Sequence, residues 1–96
     1  MTTRASEQAI DVSGIYHEET LHEYLSKNLG FPGYYGWNWD AFRDCIARDD
    51  QSAMPTLLKV AGIDELRRHA PESAKQFESC LADYVAEFPD RRVVFE

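Results

Sequence analysis

The chain has little of what marks a catalyst, a membrane protein or a disulfide-stapled scaffold. Its two cysteines, Cys45 and Cys80, form no C-x-x-C, and no His/Cys cluster has zinc spacing. Each falls within an apolar helical pattern, which favours reduced, packed thiols and leaves a disulfide open. The five glycines make neither G-x-G-x-x-G nor a phosphate loop, and no H-x-x-x-H or H-E-x-x-H occurs. None of His17, His22 and His69 stands near a Ser or Cys in a nucleophile-elbow setting. On predicted helices or their flanks, all three read as solvated surface histidines. No catalysis, metal site or cofactor is expected. No apolar stretch approaches the roughly 20 residues that span a bilayer, and Met1 to Gln8 carry no apolar signal core. The expectation is a cytoplasmic chain without a membrane span or secretory signal.

Bases are also scarce: 10 against 17 acids, a net charge of −7. That field disfavours direct contact with nucleic acid or an anionic membrane and attracts cationic partners, although acidity also serves solubility alone. The 96 residues, 44% of them hydrophobic, suit one core with no room for a deep ligand cavity. Function, if any, belongs on the surface.

Residues 1–8 read as a flexible polar tail and 9–96 as a single domain without repeats or linkers. Ala9 to Ile15 alternates partly and reads as a first strand. Leu21, Tyr24, Leu25 and Leu29 share a helical face over Glu18–Leu29, with Gly30 as the left-handed stop and Pro32 beyond it. Phe31 to Trp37 is a loop, and Asn38 is the candidate cap of a second helix. The apolar run Thr56–Val60 predicts a second strand, Ile63–Ala70 a short helix stopped by Pro71, and Glu72–Phe88 the longest helix. Arg91–Phe95 predicts the last strand. Helical connections between short strands favour a parallel sheet with right-handed crossovers. The fold class is therefore α/β: three parallel strands packed with about four helices.

Chemistry concentrates in one stretch. Five of the twelve aromatic residues lie between Tyr34 and Phe42. Spacing turns Trp39, Phe42, Cys45 and Ile46 inward and Asp40, Arg43, Asp44 and Ala47 outward. Two outward carboxylates one turn apart, beside Tyr34, Tyr35 and Trp37, suit a contact surface for a basic protein. A plainer reading also fits. Asp40 favours its helix dipole in any case, Arg43 can pair with Asp40 on a solvated face, and Tyr35 can belong to the core.

The stretch FPGYYGWNWDAFRDC resembles the loop and second helix of the barstar family, inhibitors of small extracellular ribonucleases. Pro32, Tyr34-Tyr35-Gly36, Asn38, Asp40-Ala41 and Asp44-Cys45 match without gaps, and element order extends the likeness over residues 8–96. The resemblance implies a three-stranded parallel sheet packed by helices. It also implies that loop and second helix enter a basic ribonuclease cleft. There Asp44 takes the place of the substrate phosphate, Asp40 pairs with a neighbouring cation, and Tyr34 stacks on the catalytic imidazole. Gly36 and Asn38 bring main chain and amide close to the enzyme, with Trp37, Trp39 and Arg43 in the same contact set. Counting back from the last strand adds Asp83 and Glu87 as an acidic edge, although two acids on an exposed helix face are commonplace.

Three positions depart from the best-known member: Arg43 replaces a tryptophan, Trp37 a glutamate and Gly33 an acid. The departures imply another target, a nuclease or nuclease toxin whose cleft meets Trp37 and Arg43 with an apolar or acidic patch. Three functions thus compete: a nuclease inhibitor or immunity protein, monomeric when free; an acidic module sequestering another cationic protein; and a small enzyme using Asp40 and Asp44 as acid and base, for which no oxyanion donor or pocket is evident.

Overall fold

Apolar spacing and capping residues account for the elements of the computed structural model, which describes residues 6–48 and 50–96. Strands β1 (Glu7–Asp11), β2 (Leu57–Ala61) and β3 (Arg92–Phe95) are separated by helices α1 (Glu18–Asn28) and α2 (Trp39–Ile46), then α3 (Ile63–His69) and α4 (Pro71–Glu87). The sheet runs β1-β2-β3 with both pairings parallel. The expected α/β fold, three parallel strands packed with four helices, is the one observed among the described residues.

Register explains which face is covered. Ile10 pairs with Val60, and Leu58 with Val93, so these side chains share one face of the sheet. Ile10, Leu58 and Val60 are buried there in one core with Leu21 and Leu25 of α1, Phe42 and Ile46 of α2, and Phe77 and Leu81 of α4. Ala9, Lys59 and Val94 register together on the opposite face.

Helix ends follow their residues. Gly30, at φ 68°, takes the left-handed position after α1, and the Phe31 amide donates to the Ser26 carbonyl at 2.9 Å. Pro71 opens α4, where its missing N–H costs nothing. Gly62, at φ 80°, caps α3 and lies so close to Ser13 that an added Cβ would sit 2.6 Å from the Ser13 amide nitrogen.

The first strand begins and ends earlier than its apolar pattern predicts. Glu7 and Gln8, read as tail, lie in β1, whereas Met1 to Ala5 lie outside the described residues. As an edge strand β1 can be polar: Glu7 pairs with Lys59 at 3.1 Å, and Gln8 donates to the Asn28 carbonyl at 2.6 Å. Val12 and Ile15, read as part of the first strand, are buried but belong to a turn, closed where the Ser13 amide donates to the Asp11 carboxylate at 2.9 Å. Hydrogen bonds from Ser13, its backbone amide first, hold the pKa of Asp11 below its ordinary value.

Candidate protein-binding site

The loop before α2 is fastened from beneath by Tyr35. Its amide donates to the Pro32 carbonyl at 3.0 Å, closing a turn that sends Tyr34 outward and Tyr35 inward. Tyr34 is 74% exposed, whereas Tyr35 is 6% exposed and packs 4.8 Å from the Phe31 ring. The core reading of Tyr35 therefore holds, and burial raises its hydroxyl pKa well above the tyrosine range. Gly36 lies tight beneath Asn38: the Asn38 side-chain amide donates to the Gly36 carbonyl at 3.1 Å, and its oxygen accepts from the Ala41 amide at 2.8 Å. That second bond is the expected N-cap, worth about 1 kcal/mol.

Between these fixed points Trp37 has a left-handed backbone, φ 51°, which a bulky residue rarely adopts. The residue is 41% exposed. A bulky residue held in that conformation costs about 1–3 kcal/mol.

His22 is not the solvated histidine that its sequence position suggests. It is 1% exposed, its Nδ1 shares a 2.6 Å hydrogen bond with the Tyr35 hydroxyl, and its ring lies 4.4 Å from that of Trp39. Its spacing to Leu25 and Leu29 places it on the apolar stripe of α1, a signal open to sequence reading. Burial lowers its basicity despite the opposing Glu18 carboxylate, so the ring is neutral near pH 7. Glu18, a second residue the sequence did not mark, accepts from the Trp39 indole N–H at 2.7 Å. Trp39 is half-buried and packs edge-on to Phe42 at 5.5 Å.

On α2 itself the inward side holds Phe42, Cys45 and Ile46, all buried. Asp40 and Asp44 are exposed, and Arg43 is half-covered by α4. The anticipated pairing of Arg43 with Asp40 gives way to an ion pair between Arg43 and Asp83 of α4, since the long side chain reaches the facing helix. Asp44 pairs instead with Arg48 at 3.1 Å. Asp40 and Glu87 have no ion-pair partner among the described residues. Asp83 and Glu87 do line one cleft with Arg43, over a floor that includes Ile46 and Tyr84. Its volume, about 110 Å³, is below the roughly 300 Å³ of small-molecule sites.

Cys45 and Cys80 are both buried free thiols, and burial raises the pKa of each. Among the described residues no three His, Cys, Asp or Glu side chains gather as metal ligands, and no helix is long and apolar enough to cross a membrane.

A family model described as barstar (barnase inhibitor) matches residues 6–96. The chain belongs to the barstar family. The match begins one residue before β1 and covers all seven elements, so the likeness of the 31–45 stretch extends through the fold. No curated protein sequence matches the chain. Members of the barstar family are inhibitors rather than enzymes, and the family points to a ribonuclease as the partner.

Proposed function

We propose that this barstar-family chain is a single-domain ribonuclease inhibitor that seats α2 and its preceding loop in the active-site cleft of a basic nuclease. The observation that carries the reading is the pairing of outward groups with a fixed support. Tyr34, Trp37, Asp40 and Asp44 are exposed along one continuous segment, while Tyr35, Phe42 and the Asn38 cap hold its backbone from within. A preordered surface loses little conformational freedom on binding.

The chemistry is mimicry without bond making. Asp44 would stand where a substrate phosphate stands, offering two oxygens to the arginine groups of the cleft. To do so it exchanges Arg48 for the enzyme's cations, giving up an exposed pair worth only about 0.3–0.5 kcal/mol. Asp40 needs no such exchange. Tyr34 and Trp37 supply ring surface, Gly36 and Asn38 allow close main-chain approach, and Asp83 and Glu87 extend the acidic edge. Arg43, bound to Asp83, and Trp37 select a target whose cleft offers an acidic or apolar patch at these points. Undiminished binding of barnase in calorimetry would overturn that choice of target. The inhibitor would act in the cytoplasm as an immunity protein against such a nuclease or nuclease toxin, with the net charge of −7 speeding encounter at low salt.

The test is capture with tagged protein from lysate and culture medium of the source organism, beside an Asp40→Ala/Asp44→Ala variant, followed by ribonuclease assays. A basic nuclease inhibited by the wild type at least about 100-fold more tightly than by the variant is expected, from two charged contacts at about 1.5–3 kcal/mol each. A non-nuclease partner lost in the same way would replace inhibition by sequestration. Capture unchanged by the variant would place the binding surface elsewhere.

A further inference from the structure

The two edges of the sheet differ. β1 carries Glu7 and Asp11 along its length, with Glu7 tied to Lys59, which guards that edge with charge. β3 reads Arg-Val-Val-Phe, has high strand propensity, and pairs on one side only. Val94 and Phe95 are each 38% exposed. Neither Arg92 nor Glu96 has an ion-pair partner among the described residues.

The direction of the backbone groups fixes what can pair here. The Arg92 amide donates inward to the Thr56 carbonyl at 2.8 Å, and the Glu96 amide to the Val60 carbonyl at 2.7 Å. By the two-residue period of a strand, Val93 and Phe95 then turn their N–H and C=O groups away from β2. An antiparallel copy of β3, related by a two-fold axis at Val94, sets Val93 of one chain opposite Phe95 of the other. Those two residues are the ones with free backbone groups, so each pair exchanges two hydrogen bonds. In the same register Arg92 faces Glu96 at both ends, in non-hydrogen-bonded positions where side chains lie closest. Shifting the axis to Val93 would keep the bonds but set Arg92 opposite Val94 and force the buried Arg91 against Phe95. Of these two registers, charge and packing favour the one centred on Val94.

We infer that β3 is a self-association edge, at which two copies of this chain join antiparallel through Val93 and Phe95 into one six-stranded sheet. The surface lies on β3 and not on α2, so dimer and inhibitor functions are compatible. One four-residue strand from each chain makes a small contact beside the roughly 1,200 Å² of stable complexes, so the dimer is weak and dilute protein is monomeric.

Sedimentation velocity of the full chain from about 10 μM to 1 mM tests this, with amide hydrogen exchange read at the same concentrations. The expected result is a concentration-dependent dimer whose added protection falls on Val93 and Phe95. Val94→Glu should weaken it at least tenfold, because two introduced carboxylates meet at the axis, while Lys59 beside it keeps the monomer folded by circular dichroism. Arg92→Glu should weaken association and Arg92→Glu/Glu96→Arg should restore it. A monomer throughout the range, a dimer indifferent to Val94→Glu, or protection appearing on β1 or α2 instead would overturn the inference.

Discussion

The two flanks of α2 are held by opposite means. On its buried side it rests on rings: Trp39 on His22, Phe42 on Phe31 and on Phe77 of α4, and Tyr35 bonded to His22. On its exposed side the Arg43–Asp83 ion pair ties it to α4 above a small open cleft. Burial of large rings is worth several kcal/mol per residue, whereas an exposed ion pair is worth less than about 1. The lesson is a division of labour along one helix. The ring-packed flank fixes the shape of the proposed contact surface, and the ion-paired flank can change its charge pattern at little cost to the fold.

The largest expected effect should come from breaking the ring-packed flank. Phe42 is fully buried and touches the rings of Phe31, Trp39 and Phe77. Phe42→Ala should destabilise the chain by about 3–5 kcal/mol, read from urea unfolding. A loss under about 1 kcal/mol would mean that the rings do not carry the load assigned to them.

A smaller effect, since it involves one ionisation, should come from acid. The unfolded chain has His22 at about its ordinary pKa near 6.5, while burial lowers it in the fold. Between the two values the unfolded state binds more protons, so stability is full above about pH 6.5 and falls as pH drops through that window. Asp11, lowered by its bonds to Ser13, adds its own loss only as pH falls through the carboxylate range near 3.8. Melting temperatures between pH 7.5 and 5 should therefore decline in the wild type and flatten in His22→Gln. Equal slopes in both proteins would remove His22 as the source.

These same contrasts explain what the sequence could reveal. Periodic apolar stripes and caps made the helices of the α/β fold legible, since Leu21, Phe42 and Phe77 are held locally and by burial alike. Asn38 as a cap was legible because the bond is three residues long. The start of β1 was not, because a polar edge strand leaves no alternation to read. His22 was missed because a titratable ring was assumed to seek water, when Tyr35 thirteen residues away supplies its partner. The pairing of Arg43 was misplaced for the same reason. Spacing sees Asp40 one turn away on the same helix, but it cannot see Asp83, which only the packing of α4 beside α2 brings into reach.

The smallest effect sharpens the comparison most. Arg43 and Asp83 have side chains 43% and 65% exposed, so solvent screens their attraction. A double-mutant cycle with Arg43→Ala, Asp83→Ala and the pair of changes should give a coupling in stability of about 0.2–1 kcal/mol, falling toward zero in 1 M salt. The individual variants should remain folded, because Phe42, Ile46 and Tyr84 beneath them keep the helices packed. If the coupling exceeded about 2 kcal/mol, the ion pair would be a structural strut equal to the rings, and the two flanks would not differ in kind. If it stays small, Arg43 is free to vary without loss of fold, and a change there would then alter which cleft the surface fits rather than whether the surface forms.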